Sequence, residues 1–230
     1  MRVFFGIIVG LVLAVVIAAA AAHHAFGGLV NVGDRDKSQD VTQTLDLTGF
    51  DRIDIAGVFE FDVEVGGDFS VVVSGAPSEM ERLEATVVDG ELELDRKDGE
   101  RGVRRWRDFG LTAKITLPSL TEIEIAGVAD GDVTGIDAEN FKVDLSGVGD
   151  LNLSGTCGRL DANVSGVGDL QAKSLECRDV DVDVSGIGDA SVFASESVDA
   201  SVSGIGSIDI YGSPKQVEKS NSFIASITVK

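Results

Sequence analysis

Ser146-Gly147-Val148-Gly149-Asp150, Ser165-Gly166-Val167-Gly168-Asp169, Ser185-Gly186-Ile187-Gly188-Asp189 and Ser203-Gly204-Ile205-Gly206-Ser207 are versions of one pentapeptide. Their serines are spaced by 19, 20 and 18 residues. A weaker copy, Ala126-Gly127-Val128-Ala129-Asp130, lies 20 residues before the first, and an isolated echo, Ile53-Asp54-Ile55-Ala56-Gly57-Val58, stands further upstream. Aligned on the serine, five columns stay apolar. Val143, Ala162, Val182 and Ala200 form the first, and Leu145, Val164, Val184 and Val202 the second. Val148, Val167, Ile187 and Ile205 follow inside the pentapeptide. Beyond it come Leu151, Leu170, Ala190 and Ile208, then Leu153, Ala172, Val192 and Ile210. Asp, Asn, Ser, Lys and Gln fall between. This alternation is the period of a strand with one buried face, so all five columns are expected to face inward. The glycine pair interrupts it in every copy, as a turn or bulge does.

Each repeat therefore reads as two short strands joined at a glycine corner. Such a unit cannot bury its own apolar face, but stacked neighbours can. The expected fold is all-β: a parallel β-helix, or solenoid, of about 20-residue coils, taken as right-handed by analogy. An antiparallel sandwich also spaces strands regularly, but it does not need identical corners every coil, so it ranks second. Residues 119–230 carry the repeats. Residues 41–118 alternate too, as in Phe59-Glu60-Phe61-Asp62-Val63-Glu64-Val65, and turn signals such as Gly66-Gly67 and Asp89-Gly90 break them up. They are expected to form a β-rich N-terminal layer over the open end of the first coil, continuous with the repeats. Ser78 to Leu83 reads as a short helical turn.

Val3 to Ala22 is an unbroken apolar run behind Arg2. Its length suits a membrane-spanning helix, and Ala20-Ala21-Ala22 suits signal-peptide cleavage. Residues 1–22 are thus a signal peptide or a membrane anchor, and both readings export the rest. Residues 23–40 read as a linker holding both histidines, His23 and His24. Two neighbouring histidines without further ligands make a weak metal site. The expected location is the periplasm, cell envelope or cell surface.

The chain has 230 residues and a formal charge of −20, from 39 acidic and 19 basic side chains. That balance argues against a nucleic-acid partner, since phosphate contacts need clustered cations. An apolar content of 43% argues against disorder. With both histidines near the N-terminus, a His-dependent active site in the folded part is nearly excluded.

Cys157 and Cys177 each lie eight residues before a repeat serine. Stacked coils would bring their Cα atoms to about 5 Å, within disulfide range. An oxidising compartment favours a bond, with two buried free thiols as the alternative. Asp150, Asp169 and Asp189 share another position, with Asp130 before them and Ser207 ending the series. Stacking brings like charges close, so calcium is one candidate bridge. The favoured reading is that each Asp caps its own glycine corner by local hydrogen bonds. Paired carboxylates also allow a glycosidase, but these are repeated rather than singular and no aromatic or basic group joins them. The serine column lacks an evident base. Arg96, Lys97, Arg101, Arg104, Arg105 and Arg107 surround Trp106. This patch is a candidate contact for an anionic envelope polymer, a protein or the acidic face of another copy, or else a loop paired with the chain's own carboxylates.

The motif order resembles the GIN-domain family, the head domains of bacterial auto-transporter adhesins. The resemblance rests on Gly49-Phe50-Asp51-Arg52-Ile53 with Gly57-Val58-Phe59, then Asp89-Gly90-Glu91-Leu92, Leu117-Pro118-Ser119-Leu120, the Ser-Gly-x-Gly-Asp copies and Gly206-Ser207-Ile208-Asp209-Ile210-Tyr211-Gly212-Ser213-Pro214. It implies an exported cell-envelope β-solenoid and brings no catalytic residues with it. The chain departs from the pattern at Ser222-Phe223-Ile224-Ala225-Ser226-Ile227, which lacks glycines, and in its Arg-rich insertion. The functional expectation is a non-enzymatic binding or adhesion module. A membrane-held structural or signalling accessory comes second and a carbohydrate-active enzyme third.

Overall fold

Alternation of apolar and polar residues, broken at glycine corners every coil, builds a nearly all-β solenoid whose consecutive turns number about five, about 20 residues apart. The computed structural model describes residues 40–97 and 110–230. These belong to one compact unit, Gln39–Lys230. The strands are β1 (Val41–Leu45), β2 (Arg52–Ile55), β3 (Val58–Val65), β4 (Ser70–Gly75), β5 (Leu83–Val88), β6 (Glu91–Arg96), β7 (Leu111–Leu117), β8 (Glu122–Ile125), β9 (Val128–Leu145), β10 (Leu151–Val164), β11 (Leu170–Val184), β12 (Ala190–Val202), β13 (Ser207–Tyr211), β14 (Gln216–Asn221) and β15 (Ser226–Val229). One short helix, α1 (Pro77–Met80), follows β4. It starts one residue before the expected Ser78, with proline in its first turn, and Leu83 already belongs to β5.

From β8 onward the coils stack in chain order, all parallel. Before β8 they do not. The isolated echo at Ile53–Val58 is a full coil: β2 pairs with β8 and β3 with β9, placing Ile53 on Ile123 and Val58 on Val128. On its other side, β6 pairs with β2 and β7 with β3, also parallel. The chain thus lays its second coil beneath its first, then crosses to continue above it. Antiparallel strands finish that end, with β4 on β7, β1 on β4 and β5 on β6. They cover edges that would otherwise offer unpaired backbone groups.

The opposite end is finished differently. Lys219 of β14 pairs with Ala200, so it occupies a core-facing column. Its Nζ donates to the Ile227 carbonyl at 3.3 Å. Lys219 itself is exposed at this end, and a charged lysine on an open edge discourages further strand pairing.

The core is a set of side-chain columns. Ile53, Ile123, Val143, Ala162, Val182 and Ala200 form one, all buried. Another is graded in size: Phe61 lies in register between Ala113 and Gly131. A Cβ on Gly131 would fall 2.2 Å from the Phe61 ring, so the ring fills the space the glycine leaves.

Cys157 and Cys177 are in register on β10 and β11 and joined as a disulfide, with Cα atoms 4.5 Å apart. Reduction is expected to remove about 3 kcal/mol of stability on the chain-entropy account. Denaturant melts with and without reductant measure this, and Cys157→Ser/Cys177→Ser should match the reduced chain and ignore reductant.

Candidate functional site: a groove along the glycine corners

Both glycines of each corner stand where backbone meets backbone. A Cβ on Gly166 would lie 1.9 Å from the Gly147 carbonyl oxygen, and one on Gly188 would lie 1.8 Å from that of Gly168. The residue between them is held by two bonds to the coil before it. Val167 N–H donates to the Gly147 carbonyl at 3.0 Å, and the Val167 carbonyl accepts from Gly149 N–H at 3.1 Å. Ile187 repeats the pattern with Gly166 and Gly168, at 3.0 Å each.

This geometry overturns one sequence expectation. Val148, Val167, Ile187 and Ile205 do not face the core. With Val128 they are 44–51% exposed. The bare glycines take the close approach to the neighbouring coil, and the residue between them turns outward. The result is a ridge of branched aliphatic side chains running along the stack. The final corner has no glycines, and it bends out of line. Ala225 N–H turns back to the Ser222 carbonyl at 3.2 Å, while Ser222 and Ser226 keep their bonds to the coil before. Phe223, in the place of the first glycine, is fully exposed, and Ile224 is 64% exposed.

Beside the ridge lies a trough floored by Gly57, Gly127, Gly147, Gly166, Gly186 and Gly204. Ser146, Ser165, Ser185 and Ser203 form its far wall. The groove has a volume of about 1120 Å³. Between Ala126 and Ile205 its lining is Ala, Ser, Gly, Val and Ile alone. Charge enters at one end, through Arg82, Asp95, Arg96 and Lys97, and Ile224 closes the other. The Ser146 hydroxyl donates to the Ile125 carbonyl at 3.3 Å.

The aspartate column flanks the ridge on its other side. The favoured expectation of local capping is corrected here: each carboxylate serves the next coil. Oδ1 of Asp130, Asp150 and Asp169 accepts from the backbone N–H of Asp150, Asp169 and Asp189 at 2.9, 3.0 and 2.8 Å. Oδ1 of Asp189 accepts both N–H and hydroxyl of Ser207 at 2.7 Å, which ends the series. A carboxylate bonded to the next coil's amide holds adjacent corners in register. Among the described residues no three acidic, His or Cys side chains converge as a metal cluster. The proposed calcium ligands Asp150, Asp169 and Asp189 therefore sit as a file rather than a cage.

Of the basic patch, Arg96 and Lys97 lie in the described chain. Arg96 binds Glu79 at 3.0 Å and ties α1 to β6. Lys97 lies 3.8 Å from Glu84. Arg101, Arg104, Arg105, Trp106 and Arg107 lie outside the described residues, as do His23, His24 and Val3–Ala22. Among the described residues no helix is long and apolar enough to cross a membrane.

A second electrostatic feature was not singled out from sequence. Asp54 sits in register between Glu93 and Glu124. Partial burial, then the charges of Glu124, Glu91, Glu93 and Asp95, push its pKa up to about 6. Asp181 shifts the same way, from burial first and then Asp161 and Asp199. A raised folded-state pKa means the folded chain holds a proton that the unfolded chain releases between the ordinary aspartate value of 3.8 and about 6. Stability from this group is therefore lost as pH rises through that window. Asp54→Asn is expected to stabilise the fold by about 1 kcal/mol at pH 7.5, after discounting for solvent screening, and by nothing measurable at pH 3.5. Urea melts at the two pH values check this.

The fold and groove define a β-solenoid with one apolar corner. Residues 49–214 match the family described as "Putative auto-transporter adhesin, head GIN domain", and the chain belongs to that family. No curated protein matches it. A crystal structure called a putative adhesin, from Bacteroides fragilis, superposes with a TM-score of 0.70 at 26% identity, covering 86% of this chain and 100% of the other. Two proteins of Parabacteroides distasonis are also similar. One, called a putative lipid binding protein, has a TM-score of 0.48 at 18% identity over 83% of this chain and 97% of its own. The other, called a putative adhesin, has 0.46 at 19% over 85% and 98%.

Proposed function

We propose that the chain is an exported, non-enzymatic binding module of the cell envelope, and that the corner groove is its contact surface. One observation carries this reading: a continuous strip of exposed aliphatic side chains lies along a molecule of net charge −20. Contiguous apolar strips of this kind mark interaction sites. Family membership and the likeness to the Bacteroides fragilis protein support an adhesive role. The test is attachment of fluorescently labelled full chain to intact bacterial cells. Val167→Asp should cut attachment at least tenfold, while Lys173→Asp, away from the groove, should not. Equal attachment by both variants sinks the reading.

A second reading is favoured by the apolar run Val3–Ala22, which suits a retained anchor. The chain would then be a periplasm-facing accessory held at the membrane. The N-terminal mass and cell fraction of the native protein separate the two: a start after Ala22 outside the cytoplasmic membrane favours the module, and retained Met1 in that membrane favours the accessory.

A further inference from the structure

We infer that the seam between β2 and β6 is an acid-locked joint. It is tightest while Asp54 carries a proton, and it opens locally more often once that proton leaves, freeing β5 and β6 from the first coil while β3 and β7 stay paired. Three features of the geometry carry the inference.

The first is a file of like charges across a chain crossing. Asp54 of β2 lies in register with Glu93 of β6 on one side and with Glu124 of β8 on the other. Neighbouring strands stand about 4.8 Å apart, a distance at which stacked carboxylates repel. Glu91 and Asp95 of β6 add to the field at Asp54, and Glu122 of β8 lies two residues along from Glu124. The cations beside this file are engaged elsewhere. Arg52 binds Glu91 at 3.6 Å and the Asp89 carbonyl at 2.6 Å, and Lys142 binds Glu122.

The second is enclosure. Asp54 Oδ1 is shut off from solvent and, among the described residues, accepts no hydrogen bond. An ionised oxygen in that position loses its hydration without a replacement, whereas a protonated carboxyl loses much less. Ionisation therefore strains the two contacts that enclose it, β2 on β6 and β2 on β8.

The third is the difference between the seams that join the N-terminal layer to the first coil. Along β3 and β7 seven residue pairs are in register, and opposite charges meet there, Asp62 and Lys114 at 3.7 Å. Along β2 and β6 only four pairs are in register, with Asp54 set against Glu93. On its far side β6 has only β5, whereas β8 is backed by β9 and the coils beyond. The β6 side is thus the one that yields. Its opening is a minor fluctuation, because Leu92 and Leu94 leave the core when it occurs.

The test is amide hydrogen exchange of the full chain, read by NMR at pH 5 and pH 7.5 with labelling times scaled to the intrinsic rate at each. Ala56 N–H donates to the Leu94 carbonyl at 2.9 Å and reports the β2–β6 seam. Ala126 N–H donates to the Ile55 carbonyl at 3.0 Å and reports the other side of β2. The opening constant at Ala56 should rise about three- to tenfold from pH 5 to pH 7.5, as a carboxyl whose pKa is pushed up to about 6 allows. Ala126 and the β3–β7 amides should change at most half as much. Asp54→Asn should leave Ala56 equally protected at both pH values, and Glu93→Gln should shrink the contrast. Circular dichroism checks that both variants are folded. A rise of less than threefold at Ala56 overturns the joint, as does a contrast that survives both substitutions. An equal rise at Ala56, Ala126 and the β3–β7 amides also overturns it, because the whole fold would then be weakening rather than one seam.

Discussion

Gly186→Ala should destabilise the solenoid by about 3–5 kcal/mol, although it adds a single methyl group to a surface corner. The added Cβ would sit 2.0 Å from the Gly166 carbonyl oxygen and 2.7 Å from that of Ser165. The Gly166 oxygen already accepts from Ile187 N–H at 3.0 Å. Relief requires prising two coils apart, which lengthens or breaks the bonds between them at this corner. In a repeat array each coil leans on its neighbours, so the damage spreads along the stack. Ile187→Ala, one residue on, should cost within about 0.5–1 kcal/mol, because that side chain is half exposed. Urea denaturation of the two variants measures the contrast. Similar losses for both would mean that the glycines serve flexibility rather than contact.

The second large effect lies in the core. Phe61→Ala should cost about 3–5 kcal/mol, since the ring is buried and nothing else fills its volume. Gly131→Ala should cost about 1–3 kcal/mol from the opposite cause, overpacking against the same ring. Phe61→Leu with Gly131→Ala frees room and fills it again. The pair should therefore lose at least about 1 kcal/mol less than the sum of the single changes. Additive losses in a double-mutant cycle would show that the two residues do not share the space. Such a size trade between adjoining coils fixes which coil sits on which, because an all-valine column would accept any order.

Much of this was legible in the residues. The pentapeptide spacing set the coil and the cysteines reported the register, whereas the two short strands expected of each repeat run together as one strand from corner to corner in β9 to β12. Gly131 carried a usable hint as well, a small residue where the column holds Leu151 and Leu170. The sense of the ridge was not legible. Val148 and its equivalents look like core residues because apolar character cannot say which way a side chain points. Only the clash distances at the glycines decide that the aliphatic residue turns out. Asp54 was hidden for a similar reason: its acidic neighbours Glu93 and Glu124 lie 39 and 70 residues away in sequence.

The amino-acid sequence by itself determined that the chain coils, where each coil turns and which residues stack from Ile123 onward, because these follow from local periodicity repeated at one spacing. The tertiary structure alone decided the order at the N-terminal end, where β6 and β7 slide beneath β2 and β3 before the chain resumes at β8. Parallel strand pairing is nearly indifferent to chain order: any coil with the same inward columns can join the edge of any other. What breaks that indifference is long-range packing, as at Phe61 between Ala113 and Gly131, and no local pattern records it.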